Sequence, residues 1–381
     1  MNLENNISSA ANNGNYSRWT KESGNRYSIG NIENEDVYIA GRGFNESKTD
    51  SGMRNVLLNI IKAVSFSLIA YILCDHILNI AVALALKYIL GKDLTIIPVK
   101  GFVVLQDSTS YLFMVIMTMI KYAVVILIFK MTFRMPASLA HFKAPSVKEK
   151  NDISISFGLL FIAASVLAFI YSAAKMFMSV DYIGSNLINS TAVFPENSGT
   201  RWILLVLWLV LMSFFIEIIV HSSAFAALRQ FGDWFAIVYT SIIAAMILQN
   251  FAITPLAFIA TLITGITVVK TDSIYMGTVQ RIMMNILMSI PCAIKVLDPS
   301  NCRKLGFLFG FAVFSAGFII LGMSGFFKKG AAKKYFTFEK KNLFSGGEFV
   351  SIYFESLLPI IVFAVCIVLF VLSSLVGFNA G

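Results

Sequence analysis

The sequence predicts an all-α, polytopic integral membrane protein with about nine transmembrane helices. Composition is the first observation behind that reading. Of 381 residues, 57% are apolar and only 13% charged, whereas an ordinary soluble domain is about 45–50% apolar and about 25% charged. So few polar groups cannot cover a water-facing surface, which excludes a soluble enzyme, a disulfide-rich secreted module and a disordered chain. The second observation is the recurrence of uncharged runs near the length that spans a bilayer. The third is the concentration of Lys and Arg in a few connecting segments, as expected of cytoplasmic loops.

Residues 1–54 are rich in Asn, Ser and Gly and hold no apolar run, which predicts a disordered cytoplasmic tail. No short apolar segment near Met1 marks a signal peptide. The first membrane run, 56–74, is therefore expected to direct insertion. Stretch 77–90 either lies at the interface or continues the first helix. The next runs cover 111–129, 155–178, 202–220 and 235–251. Run 256–269 is short and carries Gly265, and runs 274–296, 305–327 and 349–376 complete the set. The implied organisation is a tail (1–54), N-terminal membrane helices (55–199), a core (200–297) and C-terminal membrane helices (298–381).

Lys130, Arg134, Lys143, Lys148 and Lys150 follow the second run, and Lys328, Lys329, Lys333, Lys334, Lys340 and Lys341 follow the eighth. The segment 179–200 has no Lys or Arg. An N-terminus inside and a C-terminus outside put both basic loops in the cytoplasm. This topology accounts for the excess of 30 Lys+Arg over 21 Asp+Glu without nucleic acid, since no basic stretch is interleaved with aromatics in the manner of a base-stacking groove. Whether the 328–341 lysines also bind acidic headgroups is open at this level. The four cysteines, Cys74, Cys292, Cys302 and Cys366, make no CxxC motif; Cys292 and Cys302 fall near the expected outer face, where a disulfide could form, although a free thiol within a helix fits Cys292 better.

An ionisable side chain at bilayer depth costs roughly 2.5–3.5 kcal/mol on insertion scales. Lys62, Lys175 and Lys295 sit near run ends, where they can snorkel, and Glu355 falls in the first turns of the last run, an interfacial position. Lys121 is deeper, with no evident reason. Glu217 and His221 are four apart, on one helix face; two donors are too few for a catalytic zinc, which takes three protein ligands, so a local hydrogen-bonded pair is the expectation. Arg281 and Asn285 repeat the spacing. Polar faces in one bundle should turn toward each other, which predicts an intramembrane Glu217–Arg281 ion pair. Ser222 and Ser223 adjoin His221, but neighbouring helical residues diverge, and serine in a membrane helix generally bonds its own backbone.

The segment 214–287 resembles the CPBP family of intramembrane proteins, which includes CAAX prenyl endopeptidases and bacteriocin-processing or immunity proteins. The family's EExxxR motif falls on Ile216, Glu217 and His221. Leu228-Arg229 and the stretch from Phe231-Gly232-Asp233-Trp234 to Ile237 are similar to the connection into the next helix. The FxxxH motif falls on Ala244 to Leu248, followed by Gln249-Asn250. Pro255 to Phe258, Gly265 and Lys270 to Ile274 are similar to the helix and turn that follow, and HxxxN falls on Arg281 to Asn285.

In the family, a glutamate activates water and histidines from the later motifs complete a metal or water site. Here Ile216 replaces the first Glu, His221 the Arg, Leu248 the second-motif His and Arg281 the last His; Glu217 and Asn285 keep the residue type. Leu248 neither binds metal nor moves a proton, and Arg281 has no acceptor. The other histidines, His76 and His141, fall outside these motifs. The resemblance thus implies a helical core without the family's hydrolysis: a pseudoprotease with no metal and no cofactor, in a bacterial plasma membrane, that binds a membrane-embedded or lipidated peptide or acts as an immunity or accessory factor. Two rivals stand beside it. One is an active CAAX-type metalloendopeptidase with zinc at a shifted site around Glu217 and His221. The other is a small-solute transporter with Lys121 and Arg281 along its path, although no internal repeat supports it.

Overall fold

In a computed structural model of the chain, each apolar run is largely helical over its described residues, and the run 349–376 is divided between two helices. The structure describes residues 18–22, 24–32, 36–38, 45–91, 94–97, 102–105, 108–133, 150–174, 199–248, 254–298, 300–338 and 342–379. A small antiparallel hairpin, β1 (Asp36–Tyr38) and β2 (Asn45–Ser47), precedes α1 (Lys48–Leu73). A π-helical turn over Cys74–Leu78 carries the chain into α2 (Asn79–Leu90), so the stretch 77–90 continues the first helix. The helix stops at Gly91, whose left-handed φ of 60° suits a residue without Cβ. A second hairpin, β3 (Leu94–Ile97) and β4 (Phe102–Leu105), leads to α3 (Ser108–Phe133), and α4 (Lys150–Ala174) follows.

The core begins with α5 (Gly199–Glu217), continued by seven π-helical residues, Ile218–Ala224, and by α6 (Phe225–Leu228). A 3-10 turn, Arg229–Phe231, precedes α7 (Asp233–Leu248), α8 (Thr254–Thr271) and α9 (Ile274–Leu297). Then come α10 (Cys302–Met323), the short α11 (Ala331–Tyr335), α12 (Gly346–Phe354) and α13 (Leu357–Asn379). Ser345 caps α12 reciprocally with Glu348.

The chain is a helical membrane protein, and its described residues contain fewer full-length crossings than the nine expected. Among the described residues, four helices are long and apolar enough to cross: Ser51–Leu73, Lys150–Ile170, Val210–Phe231 and Cys302–Met323. Gly346–Phe354 and Leu357–Val371, bent by 96°, make at most a fifth. The apolar parts of α7 and α8, Asp233–Ile247 and Ala257–Thr271, fall short of the roughly 20 residues a crossing takes. The longer α9 is the most two-faced helix. It buries Gln280 and Arg281 while Tyr275 and Ile286 stay exposed. A run of apolar letters fixes a helix more firmly than it fixes a crossing.

The expected disorder of 1–54 does not hold for residues 18–22 and 24–32. Trp19, Tyr27 and Ile29 are buried against the ends of the helices. The Trp19 indole N–H donates to the carbonyl of Phe133 at 2.9 Å, where α3 ends. Buried Gln230 accepts from the N–H of Ile29 at 2.9 Å and donates to the carbonyl of Tyr27 at 2.7 Å. Three aromatic or branched anchors and one amide therefore offset the ordering cost that composition alone leaves uncovered.

Packing of α4 against α10 depends on small residues. A Cβ on Gly158 would lie 2.7 Å from the Leu321 side chain and 3.1 Å from the Gly317 carbonyl. Helix association in lipid depends on such close contact, because lipid tails are as apolar as the helices themselves. Glu355 lies at the bend between α12 and α13 and pairs with Arg54 near the start of α1.

Candidate functional site

The turn between α8 and α9 sets the frame of the core. Asp272 takes a positive φ of 49° there, a conformation Asp tolerates better than most residues. Arg229 ties Asp233 at 2.8 Å and Asp272 at 3.5 Å, joining the start of α7 to this turn. From it, α8 and α9 descend side by side, and both present polar groups to α4 and α5.

Glu217 is the centre. It ends the regular part of α5 and has no exposed surface. Arg281, about eight residues or roughly 12 Å along α9 from the turn, reaches it through Nε, so the structure brings these two residues together as an ion pair. Arg281 also donates through Nη2 to Thr261 Oγ1 at 2.6 Å. Thr264 Oγ1 lies 3.5 Å from the same Glu217 oxygen, Oε1. The other oxygen, Oε2, meets Nδ1 of His221. Gly277 on α9 lets this carboxylate lie close, since a Cβ there would come within 2.8 Å of Oε2.

His221 sits inside the π-helical stretch. The widened turn, in which the Phe225 N–H bonds the Val220 carbonyl, is an irregularity often found at functional positions. Facing a carboxylate, Nδ1 is the donor, and Nε2 is buried with no hydrogen-bond partner. The surroundings of the ring are apolar: Phe225 stands edge-on with centroids 5.4 Å apart, and a Cβ on Gly265 would lie 3.2 Å from Nε2 and 3.3 Å from Ile237.

The remaining family-register positions are spread out. Ile216 is buried in the hydrophobic core. Asn285 is one helical turn beyond Arg281 and donates to Ser213 Oγ at 2.9 Å. Leu248 ends α7, and its side chain lies outside the described residues, as do Gln249 and Asn250. Lys121, unexplained by sequence, stands over the rings of Tyr71 and Tyr122, with Nζ 5.0 and 5.6 Å from their centroids. Aromatic faces stabilise a partly desolvated ammonium in this way.

Sequence reasoning missed a second cluster beside the first. Gln280 Nε2 donates to Ser156 Oγ on α4 at 2.6 Å, and Thr267 Oγ1 donates to Gln280 Oε1 at 2.8 Å. Ser156 and Thr267 are also hydrogen-bonded to each other. The missed signal is the spacing of Thr261, Thr264, Thr267 and Thr271 along α8, three or four residues apart. Such a stripe marks a face turned toward polar neighbours.

The donor set does not fit a catalytic divalent metal. Glu217 has both oxygens engaged, one of them by a guanidinium that would repel a second cation. Among the described residues, no three His, Cys, Asp or Glu side chains gather, whereas a catalytic zinc takes three protein ligands. What the arrangement does chemically is hold α5, α8 and α9 together through a desolvated, hydrogen-bonded ion pair. Comparison with protein-family models, with curated proteins and with solved structures finds no match to this chain.

Proposed function

We propose that the chain is a non-hydrolytic membrane protein, a degenerate relative of the CAAX-type intramembrane endopeptidases. In this reading it acts by binding a membrane-embedded or lipidated peptide, as an accessory or immunity component. One observation carries the non-hydrolytic half: both oxygens of Glu217 are engaged, by Arg281 and by His221, in a fully buried cluster. A general base for peptide hydrolysis needs a lone pair within reach of a water and a substrate carbonyl. Here that lone pair is spent on a guanidinium which has no acceptor of its own and cannot pass a proton on. The peptide-binding half rests on the CPBP resemblance of 214–287. In the same reading the basic end of the bundle is cytoplasmic, in a plasma membrane.

The test is cleavage of a farnesylated CAAX peptide by purified protein, with bound zinc measured on the same sample. No cleavage and no stoichiometric zinc are expected. Cleavage that Glu217→Gln abolishes would overturn the reading. A photoactivatable farnesylated peptide tests the binding half: saturable labelling, competed by unlabelled peptide, is expected, and its absence removes that half.

A further inference from the structure

We infer that the segment after α10 is a built binding face for the headgroups of anionic phospholipids. This inference is independent of the peptide-binding reading. Residues 324–338 contain Lys328, Lys329, Lys333 and Lys334 and no Asp or Glu. All four lysines are exposed. A topology signal needs only charge in a loop, and the loop carrying it can be slack. This one is fixed at every turn.

The segment leaves α10 through a Schellman closure. The N–H of Phe326 donates to the Leu321 carbonyl at 3.1 Å, and that of Gly325 donates to the Gly322 carbonyl at 3.1 Å, with Gly325 at a φ of 76°. Next, the N–H groups of Lys328 and Ala331 donate to the carbonyls of Gly325 and Lys328, both at 3.0 Å. Gly330, at a φ of 81°, then starts α11. Beneath the lysines lies an aromatic bed. Trp234 packs on Phe336 and Phe338, and Phe326 on Tyr335 and Phe336. Lys270 pins the bed from α8: its ammonium stands 5.1 Å from the Phe338 ring centre and donates to the Thr337 carbonyl at 2.9 Å.

The depth of this face follows from what flanks it. Met323, at the end of the membrane helix α10, is 84% exposed, and Phe327 is 56% exposed. Apolar side chains so open belong against acyl chains. Trp gathers where hydrocarbon meets headgroups, and the part-exposed Trp234 beside this segment fits that level. The four ammonium groups consequently stand at phosphate height, on a rigid support, next to a hydrocarbon-facing Met and Phe. Such an arrangement suits an anionic lipid better than a soluble anion, since a lipid presents its phosphate and its acyl chains together. A polybasic cluster at this depth attracts acidic lipid with a strength that grows with each lysine.

The experiment is lipid competition on the full chain. Purified, delipidated protein is equilibrated with equal amounts of phosphatidylglycerol and phosphatidylcholine in mixed micelles, and the retained lipids are counted by native mass spectrometry. The wild-type chain is expected to favour phosphatidylglycerol by about tenfold, and raised salt should weaken that preference. Replacing Lys328, Lys329, Lys333 and Lys334 by Gln should bring the ratio close to one, while replacing them by Arg should keep it. If the quadruple Gln variant does not fold, the pairs K328Q/K329Q and K333Q/K334Q each remove part of the preference. A folded Gln variant, quadruple or paired, with the wild-type ratio would overturn the inference. So would displacement of phosphatidylglycerol by inorganic phosphate at matched ionic strength, which would identify a site for free phosphate.

Discussion

Two buried polar clusters share α8 and α9, and they are held by different means. Arg281 turns toward α5 and meets Thr261 and Glu217, whose carboxylate also bonds His221, in a charged cluster. Gln280, the residue before it, turns toward α4 and meets Ser156 and Thr267 in a neutral one. One step along a helix rotates a side chain by about 100°, so adjacent residues bind α9 to two different neighbours. The charged cluster is specific and unforgiving, because losing one partner leaves an ion poorly compensated in a fully buried site. The neutral cluster loses only hydrogen bonds. The same helix pair thus contains a strong test and a mild one of how polar contacts hold a bundle in lipid.

The largest effect is expected from Arg281→Met, which strands Glu217. Thermal unfolding in detergent should report a loss of about 3–5 kcal/mol, with Glu217→Leu similar. The double variant Glu217→Leu/Arg281→Met should be less destabilised than either single change. A double variant as unstable as the sum of the singles would remove the ion pair from the account. In the neutral cluster, Gln280→Leu should cost about 1–3 kcal/mol by leaving the hydroxyls of Ser156 and Thr267 poorly satisfied. A loss equal to that of Arg281→Met would erase the contrast between the clusters. Smallest in global terms is Gln230→Leu, which frees the backbone of residues 27–29. It should raise proteolysis and hydrogen exchange in residues 18–32 while shifting the melting temperature little. Unchanged protection there would show that Trp19 and Ile29 alone hold the segment.

Much of the helical framework was legible in the sequence, because uncharged runs and helices share a cause: backbone groups in hydrocarbon must be satisfied internally. The pairing of Glu217 with Arg281 was legible for a similar reason, as two ionised groups in one bundle have few other ways to be stabilised. Other features depend on partners far along the chain. Trp19 and Ile29 are isolated letters in a polar stretch, and nothing local announces Gln230 as the acceptor for the Ile29 N–H and the donor to the Tyr27 carbonyl. Lys121 acquires its reason only when Tyr71 of α1 comes beside it. The bend before α13 interrupts an apolar run that reads as continuous. Gln280 gives little signal because an amide among apolar residues carries no charge to demand a partner, and the Thr stripe gives little because threonine is common in membrane helices.

The contact between Arg54 and Glu355 bears on the order in which this chain can be assembled. Arg54 enters the bilayer with the first helix, while Glu355 is synthesised about three hundred residues later, beside the bend. Ile352 and Val362, on either side of that bend, are fully buried, and α1 packs against both α12 and α13. Until those last helices emerge, one flank of α1 has only lipid or the insertion machinery for a neighbour. The flank of α1 is therefore completed by helices made about three hundred residues after it, and contacts so distant in sequence form slowly. A chain cut short before residue 346 would leave the bundle open along that seam.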